Sequence, residues 1–292
     1  APSYFKTLSN AITVGKRWFW GGPRLQDVRQ TPWKPFPMAK TQKDEIAAIL
    51  FTTGSTGPAK GVVYTHGIFD AQVRHIRERF DFAPGEIDLP TFPLFALFDP
   101  ALGMTAVIPD MDPTKPAQVD PRRFVDSIQH YQVTYSFGSP AIWQVVSRYC
   151  SQNNIRCKSL KKVLMAGAPV SGALVEQVFD IIAEDGEIHT PYGATESLPI
   201  VSIEGRTIVD ETWPETKKGK GTCVGSVVPG VSIKIIKPTD SLLPTIDECT
   251  ILEPGSCGEI IVKGDVVTRA YDGNEAQTMA SKIKDDDGFW HR

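Results

Sequence analysis

Residues 52–61 read Thr-Thr-Gly-Ser-Thr-Gly-Pro-Ala-Lys-Gly, and this stretch indicates both a local fold and a chemistry. An apolar run, residues 46–51, precedes it and Val-Val-Tyr-Thr follows it, so we expect a loop between two strands. Its glycines let backbone N–H groups point to one place, its hydroxyls add donors, and its lysine adds a positive charge. Such a loop suits a polyphosphate. The predicted phosphate-binding residues are Thr52, Thr53, Gly54, Ser55, Thr56, Gly57 and Lys60.

The loop differs from the phosphate loop of kinase-like NTPases. That motif places a lysine directly after its second glycine and then opens a helix. Here Lys60 follows Gly57 by three residues, Gly61 comes next, and a strand-like run follows. A kinase-like NTPase is therefore disfavoured.

Composition limits the remaining classes. The chain has 292 residues, of which 41% are hydrophobic, enough for one large or two smaller domains. Its net charge is −3 and its basic residues are scattered, so no nucleic-acid surface is expected. The five cysteines are odd in number and lack a Cys-x-x-Cys pair, which favours a reduced, cytoplasmic setting. No apolar run approaches the ~20 residues of a membrane span, and no signal-peptide pattern is present.

Three regions differ in pattern. Residues 1–45 are irregular and rich in proline and tryptophan, and we expect them to pack on a neighbouring core. In residues 46–204, short apolar runs alternate with helical periods, which predicts an α/β region with a parallel sheet layered with helices. Asp120 and Ser139 each precede a proline, as at helix starts. A further helix is predicted to end at Gly186.

Residues 205–292 begin with a charged segment, residues 210–220, that we expect to be a loop. Short alternating segments around Ile233 and Val262 follow, separated by glycine and proline. They predict a smaller antiparallel β subdomain.

A second motif reads Tyr192-Gly193-Ala194-Thr195-Glu196. It combines an aromatic face, a glycine, a hydroxyl and a carboxylate that could hold a divalent ion. On its own, the segment also fits a turn or a helix start. Gly167-Ala168-Pro169 follows a strand-like run and, alone, fits an ordinary turn between a strand and a helix.

Together, these segments resemble the signatures of the AMP-forming, adenylate-forming (acyl-activating) superfamily. Pro58 and Ala59 stand in the reverse of the usual order before the lysine. The resemblance implies that Lys60, Thr195 and Glu196 are catalytic and that Glu196 binds Mg²⁺. It also implies adenine and AMP binding by Gly167, Ala168, Pro169, Tyr192, Gly193, Ala194 and Thr195.

The resemblance runs from Ile46 to the end of the chain but matches only the middle of a family member. Asp287-Gly288-Phe289-Trp290 resembles the stretch just before the family's ribose-binding aspartate. That aspartate, the hinge and the C-terminal lid with its catalytic lysine are expected beyond Arg292. The implied fold is a partial N-terminal domain of an adenylate-forming enzyme, which we expect to be inactive alone.

The implied activity is ATP-dependent activation of a long-chain carboxylic acid to an acyl-adenylate, with ATP and Mg²⁺ as cofactors. The predicted acyl pocket consists of Phe95, Ala96, Phe98, Phe137 and Gly138.

The segment around Ala96 bears on the second reaction step. Most acyl-CoA ligases of the family have a histidine where Ala96 stands. Residues 95–104 instead resemble the β-lactone-forming members of bacterial long-chain hydrocarbon biosynthesis. These act on 2-alkyl-3-hydroxy acids, which also implies association with other enzymes of that route. A long-chain fatty acid–CoA ligase and an inactive nucleotide-binding module stay open as alternatives.

Overall fold

The computed structural model describes residues 10–32, 34–52 and 59–292. Contacts divide the chain into two compact units, residues 1–41 and residues 42–292. In the first unit, helix α1 (Leu25–Arg29) follows a bridge between Thr13 and Arg24. The predicted domain boundaries after residues 45 and 204 stay predictions. No helix in the described part of the chain is long and apolar enough to cross a membrane.

The second unit opens with the hairpin that the sequence predicts. Strands β1 (Ile46–Phe51) and β2 (Gly61–Thr65) pair antiparallel, with Phe51 opposite Gly61. Helix α2 (His66–Phe80) follows β2 at once, because the Thr65 side chain accepts a hydrogen bond from the Ile68 N–H. Since a helix begins only after β2, the loop connects two strands, as expected.

In the described part of the chain, seven strands form the main sheet in the order β4-β3-β5-β6-β7-β8-β9. Strands β3 to β7 pair in parallel, whereas β8 and β9 join antiparallel. The predicted parallel sheet is confirmed, with an antiparallel edge added. The strands are β3 (Ile87–Asp88), β4 (Thr105–Ala106), β5 (Tyr135–Gly138), β6 (Lys162–Met165), β7 (Glu187–Ala194), β8 (Ser197–Glu204) and β9 (Ser226–Val227).

Helices cover both faces of this sheet. Met165 in β6 packs with the core beneath α4, α5 and α6, whereas its neighbour Leu164 packs with Phe80 of α2 on the other face. Successive residues of a strand point to opposite faces, so both layers have an apolar contact. The helices are α3 (Asp99–Leu102), α4 (Pro121–Tyr131), α5 (Pro140–Asn153) and α6 (Gly172–Phe179).

The predicted helix starts are confirmed, but one predicted end is wrong. Helices α4 and α5 begin directly after Asp120 and Ser139. Helix α6 ends at Phe179 and does not continue to Gly186. Ile181 and Ile182 continue the apolar spacing, yet the Ile181 carbonyl accepts a hydrogen bond from Cys157 N–H at 2.6 Å. The segment is thus bonded to a neighbouring loop and leaves the helix.

The predicted charged loop is also wrong over most of its length. A π-helical turn (Ile208–Thr212) and α8 (Trp213–Lys217) follow the short helix α7 (Gly205–Thr207). Ile208 is buried while Asp210 is exposed, so the charges mark only the outer face. Trp213 packs closely on α6, where a Cβ on Gly172 would lie 2.3 Å from the indole Cγ.

A separate antiparallel sheet follows, as predicted, in the order β10-β11-β13-β12. Bridges from Tyr271 to Val62 and from Val267 to Ser197 join the segment after β11 to β2 and β8. These two bridges bring three distant parts of the chain to one place. The elements are β10 (Val231–Ile236), β11 (Glu259–Gly264), α9 (Glu275–Ser281), β12 (Lys282–Asp285) and β13 (Gly288–His291).

Candidate functional site

Lys60 stands at the end of the glycine-rich loop, where two hydrogen bonds with Thr52 hold its backbone. Thr52 N–H donates to the Lys60 carbonyl at 3.0 Å, and Lys60 N–H donates to Thr52 Oγ1 at 3.4 Å. These bonds join the two ends of the loop. Thr53, Gly54, Ser55, Thr56 and Gly57 lie outside the described residues. Their predicted phosphate contacts stay predictions.

Glu196 lies in the turn between β7 and β8, with one carboxylate oxygen engaged. The Tyr271 hydroxyl donates to Glu196 Oε1 at 2.7 Å. The ammonium of Lys60 lies 5.5 Å from the centroid of the Tyr271 ring. Tyr271 therefore links the lysine of one motif to the carboxylate of the other.

The main chain of the same turn is held from two further directions. Thr268 donates to the Glu196 carbonyl twice, from its N–H at 2.9 Å and its Oγ1 at 3.0 Å. The Tyr64 hydroxyl of β2 donates to the Thr195 carbonyl. Burial raises the pKa of Tyr64 to about 12 and also raises that of Tyr271, so both phenols keep the protons that they donate.

Lys282 adds a buried amine beside this turn. Its side chain is 6% exposed, and its Nζ donates to Thr268 Oγ1 at 3.2 Å. Burial lowers the pKa of Lys282 to about 7, although the Glu196 carboxylate favours its charged form. His291 of β13 is paired with Lys282 of β12. Burial, and to a smaller extent the charge of Lys282, lowers the pKa of His291 to about 4.

The arrangement suits an anion together with one hard cation. Within residues 10–32, 34–52 and 59–292, Glu196 Oε2 has no hydrogen-bond partner, so it can take a metal ion. No cluster of three or more metal-ligating side chains occurs in the described ranges. A single carboxylate is what Mg²⁺ uses when phosphate oxygens and water complete its shell. The residues therefore fit a magnesium ion carried with a polyphosphate.

A cavity of about 970 Å³ opens beside the turn, past the carboxyl ends of β5, β6 and β7. Ligands bind at this edge of open parallel sheets. The wall of the cavity includes every predicted adenine-binding residue: Gly167, Ala168, Pro169, Tyr192, Gly193, Ala194 and Thr195. Tyr192 is 44% exposed, so an aromatic residue of the cavity wall is accessible to a ligand.

The predicted acyl-pocket residues divide into two groups. Phe95 and Phe137 line the cavity, with ring centroids 4.2 Å apart. Phe98 packs behind Phe95 against Phe69 of α2. Ala96, Phe98 and Gly138 are not among the residues that line this cavity.

Sequence reasoning missed two residues of the cluster. Tyr271 carried only a weak signal, as one aromatic residue in a segment that resembles the later part of the family's sequence pattern. Lys282 carried none, since one lysine in an alternating strand normally faces water. Both belong to the site through contacts with residues far away in sequence.

The chain matches the model of the AMP-binding enzyme family over residues 8–272. It is 45% identical to an olefin beta-lactone synthetase of Xanthomonas campestris pv. campestris, over 98% of this chain and 50% of that protein. An olefin beta-lactone synthetase of Stenotrophomonas maltophilia is 44% identical, with the same coverage. The chain thus spans about half the length of these curated relatives.

A solved structure shares the fold. A long-chain-fatty-acid-CoA ligase from Archaeoglobus fulgidus superimposes with a TM-score of 0.71 at 20% identity. The match covers 92% of this chain and 52% of that one. At this identity the likeness concerns the fold, which agrees with the predicted fold class.

Lys282 generates a prediction about stability and pH. Its pKa is about 7 in the folded chain and about 10.4 when unfolded. Between these values the unfolded state binds more protons, so the free energy of unfolding rises with pH. The slope from this group approaches ~1.4 kcal/mol per pH unit. Below pH 7 both states hold the proton and the contribution is constant. We expect Lys282→Met to remove this part of the slope.

The measurement is urea unfolding of the full-length protein at several pH values from 7 to 10. Lys284→Met is the matched control, because Lys284 is an exposed lysine in the same strand. Equal slopes in the two variants would contradict the burial of an uncharged Lys282.

Proposed function

The chain belongs to the AMP-binding enzyme family, and we propose on that basis that the whole protein is an adenylate-forming β-lactone synthetase. It activates a long-chain 2-alkyl-3-hydroxy acid with ATP and then closes the acyl-adenylate to a β-lactone. One observation carries the adenylation step: Tyr271 joins Glu196 to Lys60 beside a cavity that Thr195 lines. The lactone-forming step is supported by the names of the two similar synthetases and by the sequence identity of this chain to them, 45% and 44%.

In the first step, a carboxylate oxygen of the acid attacks the α-phosphorus of ATP and pyrophosphate leaves. Negative charge grows on the leaving oxygens. In this proposal Lys60 neutralises it, together with the N–H groups and hydroxyls predicted for the preceding loop. Because Thr52 and the Tyr271 ring hold Lys60 before ATP arrives, little reorganisation accompanies the reaction.

Glu196 would hold the magnesium ion through Oε2, the oxygen that Tyr271 does not bond. When bound, Mg²⁺ screens the phosphate charge and favours departure of pyrophosphate. Thr195 contacts the α-phosphate in this proposal, which its position in the cavity wall supports. Tyr192 stacks on adenine, and the segment 167–169 borders the base.

The acyl chain occupies the apolar part of the cavity. Phe95, Phe137, Ile142 and Leu164 line this part, and the whole cavity of about 970 Å³ takes the adenylate together with its acyl chain. In the second step, the 3-hydroxyl oxygen attacks the activated carbonyl, the bond to AMP breaks, and the hydroxyl loses its proton. The attack is intramolecular and gains a large effective molarity.

Long-chain acyl-CoA ligation is the alternative, since the same apolar cavity would serve it. An inactive nucleotide-binding module is the alternative from another class. A cytoplasmic location and association with other enzymes of hydrocarbon biosynthesis stay predictions.

The product identifies the reaction. Full-length enzyme is given a 2-alkyl-3-hydroxy acid, ATP and magnesium, with and without CoA. We expect AMP, pyrophosphate and a β-lactone in equal amounts, independent of CoA, by NMR and mass spectrometry. A CoA thioester without lactone would show that the second step is thioester formation. Adenylation would then still be the first step. No AMP under either condition would favour the inactive module.

Lys60→Ala tests the phosphate charge contact. We expect acid-dependent pyrophosphate–ATP exchange to slow by about one to three orders of magnitude, as when one transition-state contact is lost. Lys43→Ala, at an exposed lysine just before β1, should exchange at the parent rate. Equal rates for all three proteins would remove Lys60 from catalysis.

Glu196→Gln tests the metal ligand, because it keeps the shape and the bond from Tyr271 but loses the charge. The magnesium concentration for half-maximal exchange should rise by about tenfold or more, the effect of losing ~1.4 kcal/mol. The control is Glu176→Gln, at an exposed carboxylate on α6. If Glu196→Gln titrates with magnesium like the parent, the ion binds elsewhere.

A further inference from the structure

The cavity has two apolar walls, which lie on opposite faces of the main sheet. Leu164 and Met165 are neighbours in β6, and both line the cavity. Leu164 packs in the layer of α2, whereas Met165 packs in the layer of α4, α5 and α6. Because successive residues of a strand point to opposite faces, a single cavity reaches both faces around the end of β6.

The first wall lies on the α2 face. Ile76 of α2 and Phe137 of β5 line the cavity there, and both pack with the core cluster of Leu164. Phe95 joins them, with its ring centroid 4.2 Å from that of Phe137. Ile76, Phe95 and Phe137 are half-buried, so this wall presents an apolar surface that a ligand can contact.

The second wall lies on the opposite face. Ile142 of α5 and Trp213 of α8 line the cavity there, and both pack with the core cluster of Met165. Thr212, the last residue of the π-helical turn, completes this wall. Thr212 and Trp213 are half-buried, so the second wall also has an accessible surface.

The predicted adenine-binding residues occupy the outer part of the same cavity. Apart from the half-buried Thr195, they are all exposed: Gly167, Ala168, Pro169, Tyr192, Gly193 and Ala194. Both walls are more deeply buried than this rim. A nucleotide bound at the rim therefore leaves two separate apolar surfaces for the acid.

A 2-alkyl-3-hydroxy acid carries two alkyl chains, which start from adjacent carbons beside the carboxyl group. Each chain gains free energy on leaving water, roughly in proportion to the apolar area that it buries. An unbranched acid has one chain and can use one wall. Two walls that diverge from the end of β6 match the branched acid.

We propose that the two walls bind the two alkyl chains of the acid, one on each face of the main sheet. The carboxyl group then lies between the walls, beside Thr195. With both chains held, rotation about the bond between C2 and C3 is restricted, which positions the 3-hydroxyl for its attack. This inference rests on the proposed function, because it needs a branched acid in the cavity.

The first test shortens one chain of the acid at a time and follows pyrophosphate–ATP exchange by the full-length enzyme. Each methylene removed from either chain should lower kcat/KM by roughly two- to fourfold, because that methylene leaves an apolar wall. If kcat/KM does not depend on the length of one of the chains, that chain is not bound by a wall and the proposal is overturned. This test needs no variant, so it holds even if a substitution impairs folding.

The second test fills one wall at a time with a larger side chain. Ile76→Phe narrows the first wall and Thr212→Phe narrows the second. For the branched acid, kcat/KM should fall about tenfold in each variant, since each excludes one chain. For a 3-hydroxy acid without the 2-alkyl chain, it should fall in only one of the two variants. KM for ATP should stay at the parent value in both.

Thr250→Phe and Ile251→Phe are the matched controls, because they make the same changes at exposed residues that are not among those lining the cavity. Both should exchange at the parent rate with either acid. A fall with the unbranched acid in both wall variants, or a raised KM for ATP in Thr212→Phe, overturns the assignment of one chain to each wall. A parent enzyme that exchanges with neither acid overturns the proposed function and this inference with it.

Discussion

The site depends on how the turn between β7 and β8 is held. Its two residues, Thr195 and Glu196, connect two strands of the main sheet. The hydrogen bonds that hold them come from elsewhere in the chain, from Tyr64, Thr268 and Tyr271. Those partners lie in the N-terminal hairpin and in the segment after β11. The turn is thus the place where three parts of the fold meet, and a shift in any one part would move the carboxylate.

Burial sets the charges around that turn. Tyr64 and Tyr271 stay protonated because burial raises their pKa values, so they serve as fixed donors. Lys282 has a lowered pKa for the same physical reason, since its ammonium loses water and gains little besides Thr268. Lys60, at the end of the loop, stands closer to solvent, where a phosphate can reach it.

Sequence reasoning succeeded where the signal was local. The hairpin followed from two apolar runs around glycines, and the starts of α4 and α5 followed from polar residues before prolines. It failed where contacts between residues far apart in sequence determine the local structure or the site. The charges of residues 210–220 suggested a loop, but residues 210–217 are helical. The packing of Trp213 on Gly172 cannot be seen in the local sequence pattern. Tyr271 and Lys282 escaped notice for the same reason.

The bridge between Val62 and Tyr271 has a consequence for how the chain acquires its structure. The hairpin is synthesised before its partner Tyr271, which lies far downstream in the chain. Contacts of such high sequence separation form slowly, because loop closure costs entropy before the contact repays it. Until then, Val62 and Tyr64, both fully buried in the finished fold, have an incomplete cover. The nascent chain therefore carries an incompletely covered apolar hairpin until the segment around Tyr271 has been made, a state in which chaperones would engage it.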